Sequence, residues 1–258
     1  MRDAAGSVAM RTLRMTVAYV GTRFAGWQVQ PDRPTIQGVL EDRLSRMLRE
    51  SVRLAGAGRT DAGVHALAQV ASFTTGCRVP LEGLRRGLNA RLPIDIRALV
   101  AEEVADGFHA RSDARGKEYR YRFSRAEVVS PFVAPFVTPV AGPLDLPAMH
   151  AAARALEGRH DFTSFVPAGC TLEDRVRTVT ESRLREDGDE LIYTVRGEGF
   201  LRHMVRTMAG TLLEVGRGRI RSSDLTAILA ARDRRRAGPC APARGLSLVQ
   251  VFYDEEDR

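Results

Sequence analysis

Residues 56–65 read Gly-Ala-Gly-Arg-Thr-Asp-Ala-Gly-Val-His, which sets one carboxylate beside an arginine among three glycines. Glycines let the backbone turn sharply and let a ligand approach closely. Phosphate-binding loops are the first possibility to test. G-x-x-x-x-G-K-[ST] needs Lys and Ser/Thr after its second glycine, but Val64 and His65 follow Gly63. G-x-G-x-x-G needs glycine where Asp61 stands. Both fail on residue identity. What remains is Asp61, beside Arg59. A carboxylate so placed serves as a nucleophile in covalent catalysis, or it only bonds its own backbone in an Asx turn. The loop alone leaves both open.

Other chemistries find less support. Cys77, Cys170 and Cys240 stand far apart, with no C-x-x-C. Neither a disulfide framework nor a zinc ribbon is suggested. The five histidines show no metal-ligand spacing, and H-E-x-x-H is absent. The expectation is a reduced cytoplasm and no metal. No run approaches the roughly 20 apolar residues that span a membrane. The first ten residues lack the apolar stretch of a signal peptide and read as a short mobile tail.

The loop needs rigid elements around it. Residues 14–20 alternate, with Met15, Val17 and Tyr19 on one face, and read as a strand. Residues 35–49 carry Ile36, Val39, Leu40, Leu44, Met47 and Leu48 at helical spacing, with Pro34 at the start. Residues 52–55 and 66–73 read as strands flanking the loop. Residues 81–89 follow as a helix and 95–104 as a strand. The second half repeats the plan. It has a strand at 118–123, a helix at 145–156 capped by Asp145, and a hairpin of 176–185 with 190–196. Helices at 200–215 and 223–231 and a strand at 246–253 complete it. Each half reads β-α-β-β-α-β, the split βαβ of ferredoxin-like folds. The expectation is an α+β chain of two such halves, residues 12–110 and 111–253, with a central, mostly antiparallel sheet and a cleft between them.

The formal net charge is +7 and the pI about 10.0, with Lys117 the only lysine. Arginine-rich codon usage explains Arg in place of Lys but not the excess of base over acid. A polyanionic partner fits that excess. Arg111, Arg115, Lys117, Arg120, Arg122 and Arg125 form one cluster, and Arg232 with Arg234, Arg235 and Arg236 form another. Each is a solvated face or a set of phosphate contacts.

Residues 58–65, Gly-Arg-Thr-Asp-Ala-Gly-Val-His, resemble the signature of the TruA family of pseudouridine synthases. So do Gly26-Trp27-Gln28, Thr35-Ile36-Gln37, Asn89-Ala90-Arg91-Leu92-Pro93, Tyr119-Arg120-Tyr121, Asp161-Phe162-Thr163-Ser164-Phe165, residues 200–206 and Gly245-Leu246. The blocks cover roughly residues 14 to 253, in order. The resemblance implies the pseudouridine synthase fold and isomerisation of uridine in the anticodon stem-loop of tRNA, at positions 38, 39 and 40. It implies no metal or organic cofactor, and a homodimer. Asp61 would be the nucleophile, Arg206 its paired cation, and Tyr119 an active-site ring stacked on the target base. Arg59 would help displace that base, and Leu246 would form an apolar wall. From the residues alone, Arg206 also reads as a surface arginine at a core boundary, and Tyr119 and Leu246 as core. One stretch departs from the family pattern. Residues 170–176 carry Glu173 and Asp174, where polar or basic residues are common, which weakens an RNA contact there.

Three rival readings make different demands. A non-catalytic RNA-binding protein would not need Asp61 and Arg206 together. A pseudouridine synthase for another RNA would differ in the surrounding blocks. A metal-dependent hydrolase would need clustered acidic ligands.

Overall fold

A computed structural model describes residues 9–169 and 171–253. Most of the expected N-terminal tail, Cys170 and the acidic end lie outside the described residues. The chain divides into two compact units, one running to Arg115 and resuming at Leu248, the other spanning Gly116–Ser247.

The first unit contains β1 (Arg11–Tyr19), α1 (Ile36–Leu48), β2 (Ala55–Gly56), β3 (His65–Thr75), α2 (Leu81–Asn89) and β4 (Ile96–Val104). Strand β1 runs antiparallel to both β3 and β4. Its alternation holds: Leu13, Met15, Val17 and Tyr19 are buried, as period two requires. Helix α1 begins where the Thr35 hydroxyl accepts from the Gly38 amide at 3.3 Å, and it ends at Arg49, whose φ is +57°. Ile36, Leu40 and Leu44 on its inner face are fully buried, each stabilising by roughly 2 kcal/mol. Leu44→Ala would cost about 2–5 kcal/mol through the cavity it leaves.

The strand expected over 52–55 is reduced to the two residues of β2. Helix α1 takes the backbone donors that a ladder would need. The Val52 amide donates to Ser45 Oγ at 3.0 Å, and the Leu54 amide to Glu41 Oε1 at 2.9 Å.

The second unit contains β5 (Gly116–Ser124), β6 (Thr138–Pro139), α3 (Leu146–Arg154), β7 (Gly158–Asp161), β8 (Val176–Asp187), β9 (Glu190–Gly197), α4 (Met204–Gly216) and α5 (Leu225–Ala231). The last strand, β10 (Leu246–Phe252), begins in this unit and continues into the first. Strands β5, β9, β8 and β7 lie in that order, all antiparallel. Short β6 pairs parallel with β5. The β8–β9 hairpin turns through Gly188 and Asp189, and Gly188 has the positive φ that a tight hairpin loop demands. Asp145 caps α3 by accepting from the Ala148 amide at 2.9 Å.

Helix α4 starts at Met204, four residues later than its apolar spacing implies. His203 has φ +61°, a left-handed conformation that an α-helix does not continue through. Strands β6 and β7 were not expected. One holds Pro139, and the other is only four residues long without alternating polarity. The fold class is as anticipated, α+β and mostly antiparallel; the first half follows the order βαββαβ, and the second departs from it by β6, β7 and α5.

Candidate active site

The Asp61 loop leaves β2 and returns into β3. Its underside is fastened to the first unit at several points. The Trp27 amide donates to the Thr60 carbonyl at 3.0 Å, and the Gly63 amide to the Phe24 carbonyl at 3.4 Å. Gly21 donates to His65 Nδ1 at 3.2 Å. The Tyr19 and Thr60 hydroxyls are 2.8 Å apart, and Gln69 Nε2 donates to the Gly58 carbonyl at 2.9 Å. The Val64 amide donates to the Asp61 carbonyl at 3.1 Å, closing a turn in which Gly63 has φ +80°.

Two glycines are required here by space. A Cβ on Gly56 would lie 2.5 Å from Trp27 Nε1, and Trp27 is buried. A Cβ on Gly26 would lie 2.7 Å from the Thr60 carbonyl oxygen, and Gly26 has φ +96°. Thr60 is buried, Asp61 is half-buried and Arg59 is exposed. The loop therefore buries Thr60 and leaves its two neighbours more exposed than it. Burial pushes the Tyr19 hydroxyl from 10.0 up to about 12, against hydrogen bonds to Thr60 and Gln69. It is a neutral post under the loop at any physiological pH.

Tyr119, Arg206 and Leu246 belong to the second unit. Tyr119 lies on β5, buried, its ring edge-on to Phe200 at 5.2 Å and 82°. Tyr121 and Phe123 share its face and are fully buried. Arg206 lies on α4, where eleven of the thirteen residues are buried. Only Arg206 and Glu214 escape, and Glu214 pairs with Arg217 and Arg219. Arg206 donates from Nε to the Ala241 carbonyl at 2.8 Å, and the Ala241 amide donates to the Arg206 carbonyl at 3.0 Å. Leu246 opens β10 and is buried.

The basic clusters are partly neutralised. Arg122 grips Glu190 with two bonds of 2.7 and 2.6 Å across β5 and β9. Arg120 pairs with Glu118 and Arg125 with Glu186. Arg232 pairs with Asp161, and Arg235 with Asp233. Glu118 and Asp233 lie within the clusters themselves, whereas Glu190, Glu186 and Asp161 come from β9, β8 and β7 and escape a local count. In the 170–176 stretch, Asp174 accepts from the Val176 amide at 3.0 Å, so this acid shapes the loop. Among the described residues, no group of three or more His, Cys, Asp or Glu is placed to hold a metal ion. No helix there is long and apolar enough to cross a membrane.

The residues that fasten the loop, Tyr19, Gly21, Trp27 and Gln69, were not identified as site residues from the sequence. The signals were Trp27, in one of the resembling blocks, and Gln69, a polar residue between Ala68 and Val70 in β3.

A family model described as tRNA pseudouridine synthase matches residues 15–113 and 152–254. This chain belongs to that family. It is therefore an isomerase, and the binding-protein and hydrolase readings fall away. Curated family members named tRNA pseudouridine synthase A resemble it closely. That of Solibacter usitatus is 49% identical over 247 residues, covering 95% of this chain and 100% of its own. That of Exiguobacterium sp. is 48% identical, covering 96% and 100%. That of Myxococcus xanthus is 47% identical, covering 95% and 92%. Among solved structures, the archaeal box H/ACA sRNP Nop10–Cbf5 complex covers 78% of this chain and 43% of its own, at 16% identity and TM-score 0.36, too slight a likeness to argue from.

Proposed function

We propose that this synthase converts uridine to pseudouridine in the anticodon stem-loop of tRNA, at positions 38, 39 and 40, with Asp61 as nucleophile. The observation that carries the reading is the loop itself. Thr60 is anchored in the interior, and Asp61 and Arg59 flank it on a backbone fastened by Trp27, Phe24 and Gly21. A nucleophile on a rigid support loses little orientational freedom when substrate binds.

The reaction is an isomerisation and balances without a co-reactant. The N1–C1′ bond breaks, C1′ bonds to C5, the proton on C5 leaves, and N1 gains one. The Asp61 carboxylate attacks either C1′ or C6 and is released when the new bond forms. Arg206 is the cation that offsets the carboxylate's charge. Tyr119 stacks on the base once it leaves the helix, and Leu246 forms an apolar wall beside it. Arg59 helps displace the base from the helix. The enzyme acts in the cytoplasm as a homodimer with tRNA, its basic surfaces meeting phosphate.

The substrate assignment is tested with tRNA transcripts bearing a single uridine at 38, 39 or 40, and one with none in the anticodon arm. Pseudouridine in each of the first three and not the fourth supports it. Modification in another arm of the fourth transcript rejects the position while keeping the chemistry.

A further inference from the structure

Tyr121 is fully buried on β5, two residues from Tyr119, and the chain after α5 is wrapped around it. Its hydroxyl lies 2.6 Å from Thr138 Oγ1 and donates to the Pro242 carbonyl at 2.8 Å. Thr138 supplies the proton that Tyr121 accepts, so the two bonds run in one direction. The carbonyl next to Pro242, that of Ala241, accepts from Arg206 Nε. On the far side of the ring, a Cβ on Gly245 would lie 2.7 Å from two Tyr121 carbons, so the backbone at Gly245 rests on the ring. The residue after Gly245 is Leu246.

The segment is clamped from the other side as well. A Cβ on Gly210 would lie 1.8 Å from the Pro239 carbonyl oxygen, and one on Gly238 would lie 2.7 Å from Thr211 Cα. The Gly238 amide donates to Thr211 Oγ1 at 2.9 Å. Residues 238–245 thus form a strap between α4 and the Tyr121 ring.

We propose that Tyr121 is a positioning residue for the isomerisation: by holding the strap at Pro242 and Gly245 it sets the direction of the Arg206 guanidinium and the seat of Leu246. Tyr121 touches no substrate and acts through the strap. The inference rests on the reading that Arg206 takes part in the reaction.

The test compares steady-state and single-turnover kinetics of the full chain on tRNA transcripts for Tyr121→Phe, Thr138→Val, Arg206→Lys and the double variant Tyr121→Phe/Arg206→Lys. Tyr121→Phe keeps the ring and loses the hydroxyl. It is expected to lower kcat about tenfold with KM unchanged within twofold, and Thr138→Val to lower kcat about threefold. In the Arg206→Lys background, adding Tyr121→Phe is expected to cost less than twofold, because the group it orients is already altered. Wild-type kcat in both Tyr121→Phe and Thr138→Val, beside an impaired Arg206→Lys, overturns the positioning role alone. Additive losses in the double variant also overturn it. Wild-type kcat in Arg206→Lys overturns the assigned role of Arg206 and this inference with it. Should Tyr121→Phe not fold, Thr138→Val decides by the same criterion.

Discussion

The hydroxyls of Tyr19 and Thr60 meet at 2.8 Å inside the first unit, joining the end of β1 to the residue before Asp61. Gln69, on β3, reaches both the Tyr19 hydroxyl at 3.5 Å and the Gly58 carbonyl. The loop that carries Asp61 is thereby tied to two neighbouring strands by side chains that cannot reach water. An unpaired polar group there is expensive.

Removing one partner should show that expense. Tyr19→Phe leaves the Thr60 hydroxyl and Gln69 short of a partner and is expected to destabilise by about 1–3 kcal/mol. Denaturant unfolding measures the loss. The rate of pseudouridine formation should fall several-fold as well, because the same bond holds the loop. Unchanged stability and rate would show that the tie is dispensable.

The same hydroxyl makes the fold sensitive to alkali. Burial raises its folded-state pKa to about 12, above the ordinary 10.0. The neutral form is favoured in the fold, so its contribution is complete below pH 10. It is lost as pH rises toward 12, where the unfolded chain gives up the proton first. That window carries on the order of 2–3 kcal/mol. Unfolding followed between pH 9 and 12 should decline less steeply in Tyr19→Phe than in wild type. Equal slopes would remove Tyr19 as the cause.

Gly26 and Gly107 both have positive φ, +96° and +85°. Around Gly107 nothing lies within 4 Å of an added Cβ, whereas at Gly26 it meets the Thr60 carbonyl. Alanine at either position strains the backbone, but only Gly26→Ala also pushes on the Asp61 loop. It should cost about 1–3 kcal/mol more than Gly107→Ala and alone reduce kcat. Calorimetry and kinetics on the two variants separate strain from displacement.

Arg122 provides a contrast among the cations. Its two bonds to Glu190 belong to the sheet. Arg122→Ala is expected to cost about 0.5–1 kcal/mol of stability while tRNA affinity, measured by filter binding at fixed salt, stays within twofold. A drop of tenfold or more would reassign Arg122 to the RNA surface.

The order of elements was legible because its signals are local. Pro80 and Pro93 bracket α2, whose bounds agree with expectation, and Asp145 and Thr35 mark helix starts by the hydrogen bonds they make. Expectation failed where distant residues decide. Glu41 and Ser45 capture the amides of residues 54 and 52, and left-handed His203 delays α4. The chemical loop stood out through its residue types and its resemblance. Its supports did not, because Tyr19, Gly21, Trp27 and Gln69 come together only when β1, the 21–27 segment and β3 are packed.

On the proposed reading, Asp61 forms the bond that starts the isomerisation. Chemical mapping of pseudouridine in unmodified tRNA transcripts, with wild type and folded Asp61→Asn at enzyme excess, tests it most directly. Wild type is expected to modify the transcripts and Asp61→Asn to lose at least about 10⁴-fold in rate, with tRNA binding retained. Modification by Asp61→Asn within tenfold of the wild-type rate would contradict it.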